Sequence, residues 1–253
     1  MKKIWTLALT TFQELIREKF FVVGLVMALI LITLSYLLGS LSFYEQTRIL
    51  FNVGTMGIEL VLIGLALFSG AVLIHKEIEL RTCQIILTRP LSRTIFLLGK
   101  WTGLFIFILL TTILLGLVLL VLSFEQFANL SFFFVIFQIF LKIILLMSLA
   151  FLMGLVLRPV LASLVGLSFY FLAHSVQDIQ FFLKRANDGV IPNWFLTFQK
   201  VIPRFDQFNW KSFYFIENGI LANNFAMMSI HYLSWIFLIL SGCLIVWRKK
   251  DIG

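Results

Sequence analysis

Long apolar runs alternate with short polar breaks along almost the whole chain. A membrane crossing needs roughly 20 apolar residues at ~1.5 Å each. Six stretches meet or approach that length: Phe20–Leu41, Val53–Ile74, Trp101–Leu122, Phe132–Leu157, Val160–Val176 and Phe225–Trp247. The fifth is the shortest. Arg158-Pro159 divides the fourth from the fifth, because proline disfavours the helical state of the residue before it. The predicted fold is therefore all-α: a polytopic membrane protein of six transmembrane helices forming one membrane domain over residues 1–253.

The first 19 residues follow a different pattern. Lys3, Thr6, Thr10, Gln13 and Arg17 recur at steps of three and four, with Ile4, Ala8, Phe12, Leu15 and Ile16 largely opposite. A helix of this kind lies in the headgroup plane. The apolar stretch Ile4–Leu9 is too short for a signal peptide, and no small-residue cleavage site follows it. Residues 177–224 form the largest segment between spans. Its aromatic residues, from Trp194 to Phe215, predict short helices lying on or dipping into the outer leaflet.

Composition agrees with the pattern. Hydrophobic residues make up 61% of the chain and charged residues 13%, about half the charged share of a soluble domain. The net charge of +8 marks orientation rather than nucleic-acid binding. With six spans, thirteen Lys and Arg fall on the side of the termini and six on the other. The positive-inside rule makes the first side cytosolic, as in a prokaryotic-type inner membrane with both termini inside. Cys83 then lies in the cytosol and Cys243 in a span, so no disulfide is expected, and no CxxC or Cys/His metal spacing occurs.

Residues 75–99 read HKEIELRTCQIILTRPLSRTIFLLG, a charged and proline-punctuated stretch between two spans. Glu77 and Arg81 stand four apart, the spacing of a helical ion pair. Pro90 ends that helix, and Ser92 is placed to cap the next. The result is a stiff helical elbow joining the second and third spans. On composition alone, such a stretch is simply a charged connection.

Its residues carry more. Glu77, Glu79, Thr82, Leu87, Pro90, Ser92, Arg93, Gly99 and Lys100 fall in an order that resembles the type-2 family of ABC transporter permeases. That family has Glu-x-Glu-x-x-Thr after the second span, then Leu, Pro, Ser-Arg and Gly-Lys leading into the third. Many members have Gly before the Thr, where this chain has Arg81. The amphipathic start, LAHSVQD at 172–178, IPRFDQFNW at 202–210 and the closing WRKKDIG are similar to further family motifs, so the likeness runs over nearly the full length. It implies a non-catalytic subunit of an ATP-driven exporter; the apolar spans, with few polar groups inside them, fit a hydrophobic or amphipathic substrate better than a hydrated ion. It also implies pairing with a second permease copy or paralogue, a dimer of ABC ATPase subunits, and outer-face accessory proteins in some members. Glu77, Glu79, Arg81, Thr82, Pro90 and Arg93 would then serve the ATPase contact. ATP would be bound by the partner, with no cofactor on this chain. A phosphate-cradling loop needs Gly, four residues, then Gly-Lys-Ser/Thr, whereas Gly99-Lys100 is preceded by Thr94 at the first Gly position and followed by Trp101.

Four ionisable residues are candidates for a substrate path or gate: Glu59, Lys142, His174 and Asp178. An ammonium at mid-span costs ~2.5–3.5 kcal/mol on insertion scales, so Lys142 must face protein or water. Gln138 shares its face, and Glu59 is its expected partner. His174, Asp178 and His231 cluster near outer span ends without a helical metal-ligand spacing. Gly99 and Gly103 form a small-xxx-small pair expected to pack against another helix of the same chain. Two other classes compete with a permease. An intramembrane lipid-modifying enzyme has only His174 with Asp178 as a testable pair, and no HExxH or GxSxG is present. An ion-coupled secondary carrier would show interrupted spans and inverted repeats, which the sequence does not.

Overall fold

The computed structural model describes residues 2–41, 45–79, 92–122, 130–186, 192, 195, 203, 205 and 222–249. They form eight helices: α1 Lys2–Arg17, α2 Lys19–Ser40, α3 Gln46–Glu79, α4 Arg93–Leu122, α5 Leu130–Gly154, α6 Pro159–His174, α7 Val176–Ala186 and α8 Ala222–Lys249. No strand occurs among the described residues. Five helices are long and apolar enough to cross a membrane, and a sixth crossing is available if α6 and α7 count as one span bent by 52°. On its own α6 has 16 residues, about 24 Å of rise against a ~30 Å hydrocarbon core. That is why the fifth predicted span is incomplete as a straight helix.

The centre and the rim of the bundle are set by which helices have apolar neighbours on all sides. Of the apolar window of α3, 78% is buried, and of that of α5, 72%; α2 reaches only 17% and α8 only 22%. The two central helices pack on each other, with α2 against α3 and α8 against α5. The outer faces of α2 and α8 expose residues such as Val23, Ile30, Leu37 and Phe237. Surfaces this apolar and this continuous require lipid rather than water as solvent, so the architecture is that of an integral membrane protein.

Two helix boundaries differ from the sequence expectation. The second predicted span does not stop at Ile74. It is the middle of one uninterrupted helix from Gln46 to Glu79, so His75–Glu79 extends α3 instead of starting a new helix. The fourth span stops at Gly154, where Leu155, Val156 and Leu157 close a turn through backbone bonds to Leu152 and Met153. Arg158 follows with extended backbone, and Pro159 opens α6 at its first turn, the position where a missing N–H costs nothing. Ser92 caps α4 as its sequence position predicts: Oγ accepts the Ile95 N–H at 3.3 Å.

Helix α1 has three faces. Lys3, Thr6, Thr10, Gln13 and Arg17 are exposed, as the amphipathic pattern requires. Trp5, Leu9 and Ile16 form an exposed apolar stripe, and Ala8, Thr11 and Leu15 are buried. The buried face sits on α4. Contact is close because α4 presents glycine there: a Cβ on Gly99 would stand 2.7 Å from Leu7 Cβ, and one on Gly103 would stand 2.6 Å from Thr11 Cβ. The small-xxx-small pair is thus an intramolecular seam. Thr11 is kept compatible with that seam by turning its hydroxyl onto the Leu7 carbonyl at 2.8 Å.

In the aromatic segment, Phe195 and Phe205 are fully buried. Phe205 lies against Tyr232 and Phe169, and its backbone N–H donates to the Ala173 carbonyl at 3.4 Å. Phe205 thus belongs to the core of the bundle, where the sequence predicted lipid contact. Trp194, Phe198, Phe208, Trp210, Phe213, Tyr214 and Phe215 lie outside the described residues.

Candidate functional site

Two polar constellations stand out in an otherwise apolar bundle. The first joins the helices that flank residues 80–91. Lys100, near the start of α4, is buried, with its side chain 7% exposed. Its ammonium lies 2.6 Å from Glu77 at the end of α3 and 3.4 Å from Glu14 on α1. Glu14 also reaches Lys76 at 3.7 Å, and Lys76 donates to Glu18 at 3.1 Å, between α1 and α2. The cluster ties three helices at one point. Lys100 and Glu77 are largely shielded from water, so removing either one alone is costly; the Lys76 half is solvent-screened and contributes little.

This arrangement gives Glu77 a tertiary partner that sequence spacing could not reveal. Arg81, Thr82 and Pro90 lie outside the described residues, as does Cys83. Glu79, the last residue of α3, and Arg93, the first of α4, are exposed, whereas Glu77 is turned inward. The first turn of α4 is also held from the far end of the chain. Trp247, fully buried in the last turn of α8, donates Nε1–H to the Arg93 carbonyl at 3.0 Å and stacks on Phe96 with centroids 5.9 Å apart.

The second constellation lies deep in the bundle. Lys142 on α5, with a side chain 1% exposed, pairs with Glu59 on α3 at 3.3 Å, the partner expected from sequence. Gln138, one turn earlier, is buried on the same helix. Two members went unnoticed in the sequence. Tyr170 on α6 donates its hydroxyl to Glu59 at 3.4 Å, and the Phe205 ring lies with its centroid 6.0 Å from the Lys142 ammonium. A signal for Tyr170 existed: it is one helical turn before His174, and the two rings stack at 5.9 Å. One carboxylate thus links α3, α5 and α6.

A groove of about 730 Å³ opens beside this pair, between α3 and α6. Glu59, Tyr170 and His174 line it together with Leu60, Gly64, Phe68, Leu164 and Leu167. Lys142 and Asp178 do not line it. Asp178 falls in the first turn of α7, where a carboxylate complements the helix dipole. His231 is exposed and lies edge-on to Tyr232, centroids 6.4 Å apart. Among the described residues, no group of three or more His, Cys, Asp or Glu side chains converges as metal ligands would.

No protein-family model matches the chain, and neither does any curated protein.

Proposed function

We propose that the chain is the membrane-spanning permease subunit of an ATP-driven ABC exporter, with its ATPase on separate subunits. The single observation that carries the reading is the buried Glu77–Lys100 contact at 2.6 Å. It locks the end of α3 to the start of α4 at the base of the charged segment, and Glu14 fastens α1 to the same point. A force applied to residues 80–91 is then delivered to three helices together, which is what coupling to an external motor requires. Exposed Glu79 and Arg93 flank the segment, with Glu79 placed to meet a partner, while Glu77 serves the lock.

In this reading the chain crosses six times, with α6 and α7 together forming the fifth crossing, and both termini are cytosolic in an inner membrane. Helix α1 is interfacial: its Trp5–Leu9–Ile16 stripe faces lipid and its Lys3–Arg17 face meets the headgroups. Two such chains, or this chain and a paralogue, pair above a dimer of ATPases. The cargo is hydrophobic or amphipathic, in keeping with the apolar groove between α3 and α6.

The test is purification of the intact chain from its own membrane in mild detergent. An ATP-hydrolysing subunit should accompany it. Glu79→Lys should weaken that association, and Glu77→Lys should leave the subunit bound but reduce cargo-stimulated hydrolysis. Full association and stimulation in both variants would overturn the assignment.

The buried Lys142–Glu59 pair favours a second reading, an ion-coupled carrier, because intramembrane ion pairs often mark proton or ion paths. Gradient-driven transport by the isolated chain would establish it in place of the first.

A further inference from the structure

From the α3–α6 groove we infer a binding site for a single-chain amphipath, with its polar head at Glu59, Tyr170 and His174 and its tail along Gly64. Three observations converge. The first is polarity. Glu59 meets Tyr170, and Leu67 meets Gly166, so the two helices run in opposite directions. Glu59, Tyr170 and His174 therefore share one end of the groove, and the remaining wall is almost wholly apolar. At the other end the Ser163 hydroxyl is turned onto its own helix, donating to the Pro159 carbonyl at 2.6 Å. A ligand polar at one end and apolar along its length fits this asymmetry; a second copy of an apolar helix has no use for it.

The second observation is length. Between Met56 and Phe68 the α3 wall rises ~18 Å. A ~30 Å hydrocarbon core holds two tails end to end, so this length suits one extended acyl tail. A volume of about 730 Å³ lies in the range of sites that enclose small molecules.

The third is Gly64. A glycine in a helix interior costs about 1 kcal/mol relative to alanine. The glycines at 54, 57 and 70 of the same helix have neighbours within 3.0 Å of a built Cβ, so protein packing accounts for them. Among the described residues, a Cβ on Gly64 would meet nothing within 4 Å. The space it leaves is in the groove, where packing among the described residues does not account for the glycine.

The head is a hydrogen-bond donor. Glu59 offers an acceptor, and Lys142 balances its charge from behind without entering the groove. A hydroxyl or amide head is welcome; a carboxylate head would meet the Glu59 carboxylate. The site deepens the transport reading by naming a class of cargo, but its test involves no ATPase, so either can fail without the other.

The experiment is native mass spectrometry of the full-length chain in detergent, titrated with a monoacylglycerol and, separately, with the fatty acid of the same chain length. One monoacylglycerol per chain should bind, and the fatty acid should bind more weakly. Gly64→Leu fills the middle of the groove without a clash among the described residues and should weaken binding about two hundredfold, the loss of roughly four buried methylenes. Leu164→Trp, from the opposite wall, should do the same should the first variant fold poorly. No adduct on the unaltered chain, or equal adducts on it and on a folded groove-filling variant, would overturn the site. So would a change in oligomeric state with amphipath binding unaltered, which would give the groove to a second copy of the chain. Equal binding of the fatty acid would overturn the donor-head assignment.

Discussion

Replacing Lys142 with methionine removes the cation from a carboxylate that is 7% exposed. Glu59 Oε1 receives two donors, the Lys142 ammonium at 3.3 Å and the Tyr170 hydroxyl at 3.4 Å. After the substitution only the hydroxyl remains of these two. Breaking a buried pair by removing one partner costs ~3–5 kcal/mol, because the other charge stays behind. Here Tyr170 softens that loss, so the lower end, ~3 kcal/mol, is expected. Removing both charges, as Lys142→Met with Glu59→Gln, leaves an amide that still accepts from Tyr170. The double variant should recover ~1–2 kcal/mol relative to the sum of the two single variants, within the range of coupling between contacting residues. At ~2–4 °C per kcal/mol for a chain of this size, Lys142→Met alone should lower the unfolding midpoint in detergent by ~6–12 °C. The assay is a double-variant cycle followed by thermal and denaturant unfolding. A coupling below ~0.5 kcal/mol would refute the argument that the two charges support each other.

Other expectations follow from the packing. Gly103→Leu drives a side chain into Thr11 and the Ala8 carbonyl; it should cost at least ~1–3 kcal/mol and free α1 for proteolysis. Gly64→Ala, by contrast, meets open space and should stabilise the chain by ~0.4–1 kcal/mol in the same unfolding assay. Trp247→Ala removes a fully buried ring and its bond to the Arg93 carbonyl, for a loss of ~3–5 kcal/mol; Trp247→Phe, which keeps the stack on Phe96, should recover much of it. Lys100→Gln leaves Glu77 facing inward without its near cation and should destabilise far more than Lys76→Gln, whose exposed pairs contribute ~0–1 kcal/mol, as denaturant titration of the two variants would show.

What the sequence disclosed depended on whether water or protein did the selecting. The Ser92 cap, the Arg158-Pro159 break and the Lys142–Glu59 pair were legible, because backbone chemistry and the cost of a buried charge leave few alternatives. The continuity of α3 past Ile74 was not, since charged residues such as Lys76 and Glu77 continue a helix as readily as they begin one. Hydrophobic pattern also cannot separate lipid-facing from protein-facing surface, because both are apolar. For that reason Ile16 and Ala8 read as one face of α1, although the first is exposed and the second buried on α4. Phe205 shows the same ambiguity from the other side: an aromatic in a segment that read as interfacial is part of the buried core. Glu14 joins the junction by tertiary contact alone, and nothing local announces it.

The most direct test of ATP-driven coupling at this elbow is thiol labelling at its exposed edge. Glu79→Cys, in a chain with Cys83→Ser and Cys243→Ala, would be probed with a membrane-impermeant maleimide in inside-out and right-side-out vesicles, with and without ATP plus vanadate. Coupling predicts labelling from the cytosolic side alone, and a labelling rate that changes when the nucleotide is trapped. Labelling from the external side, or a rate indifferent to nucleotide, would contradict it.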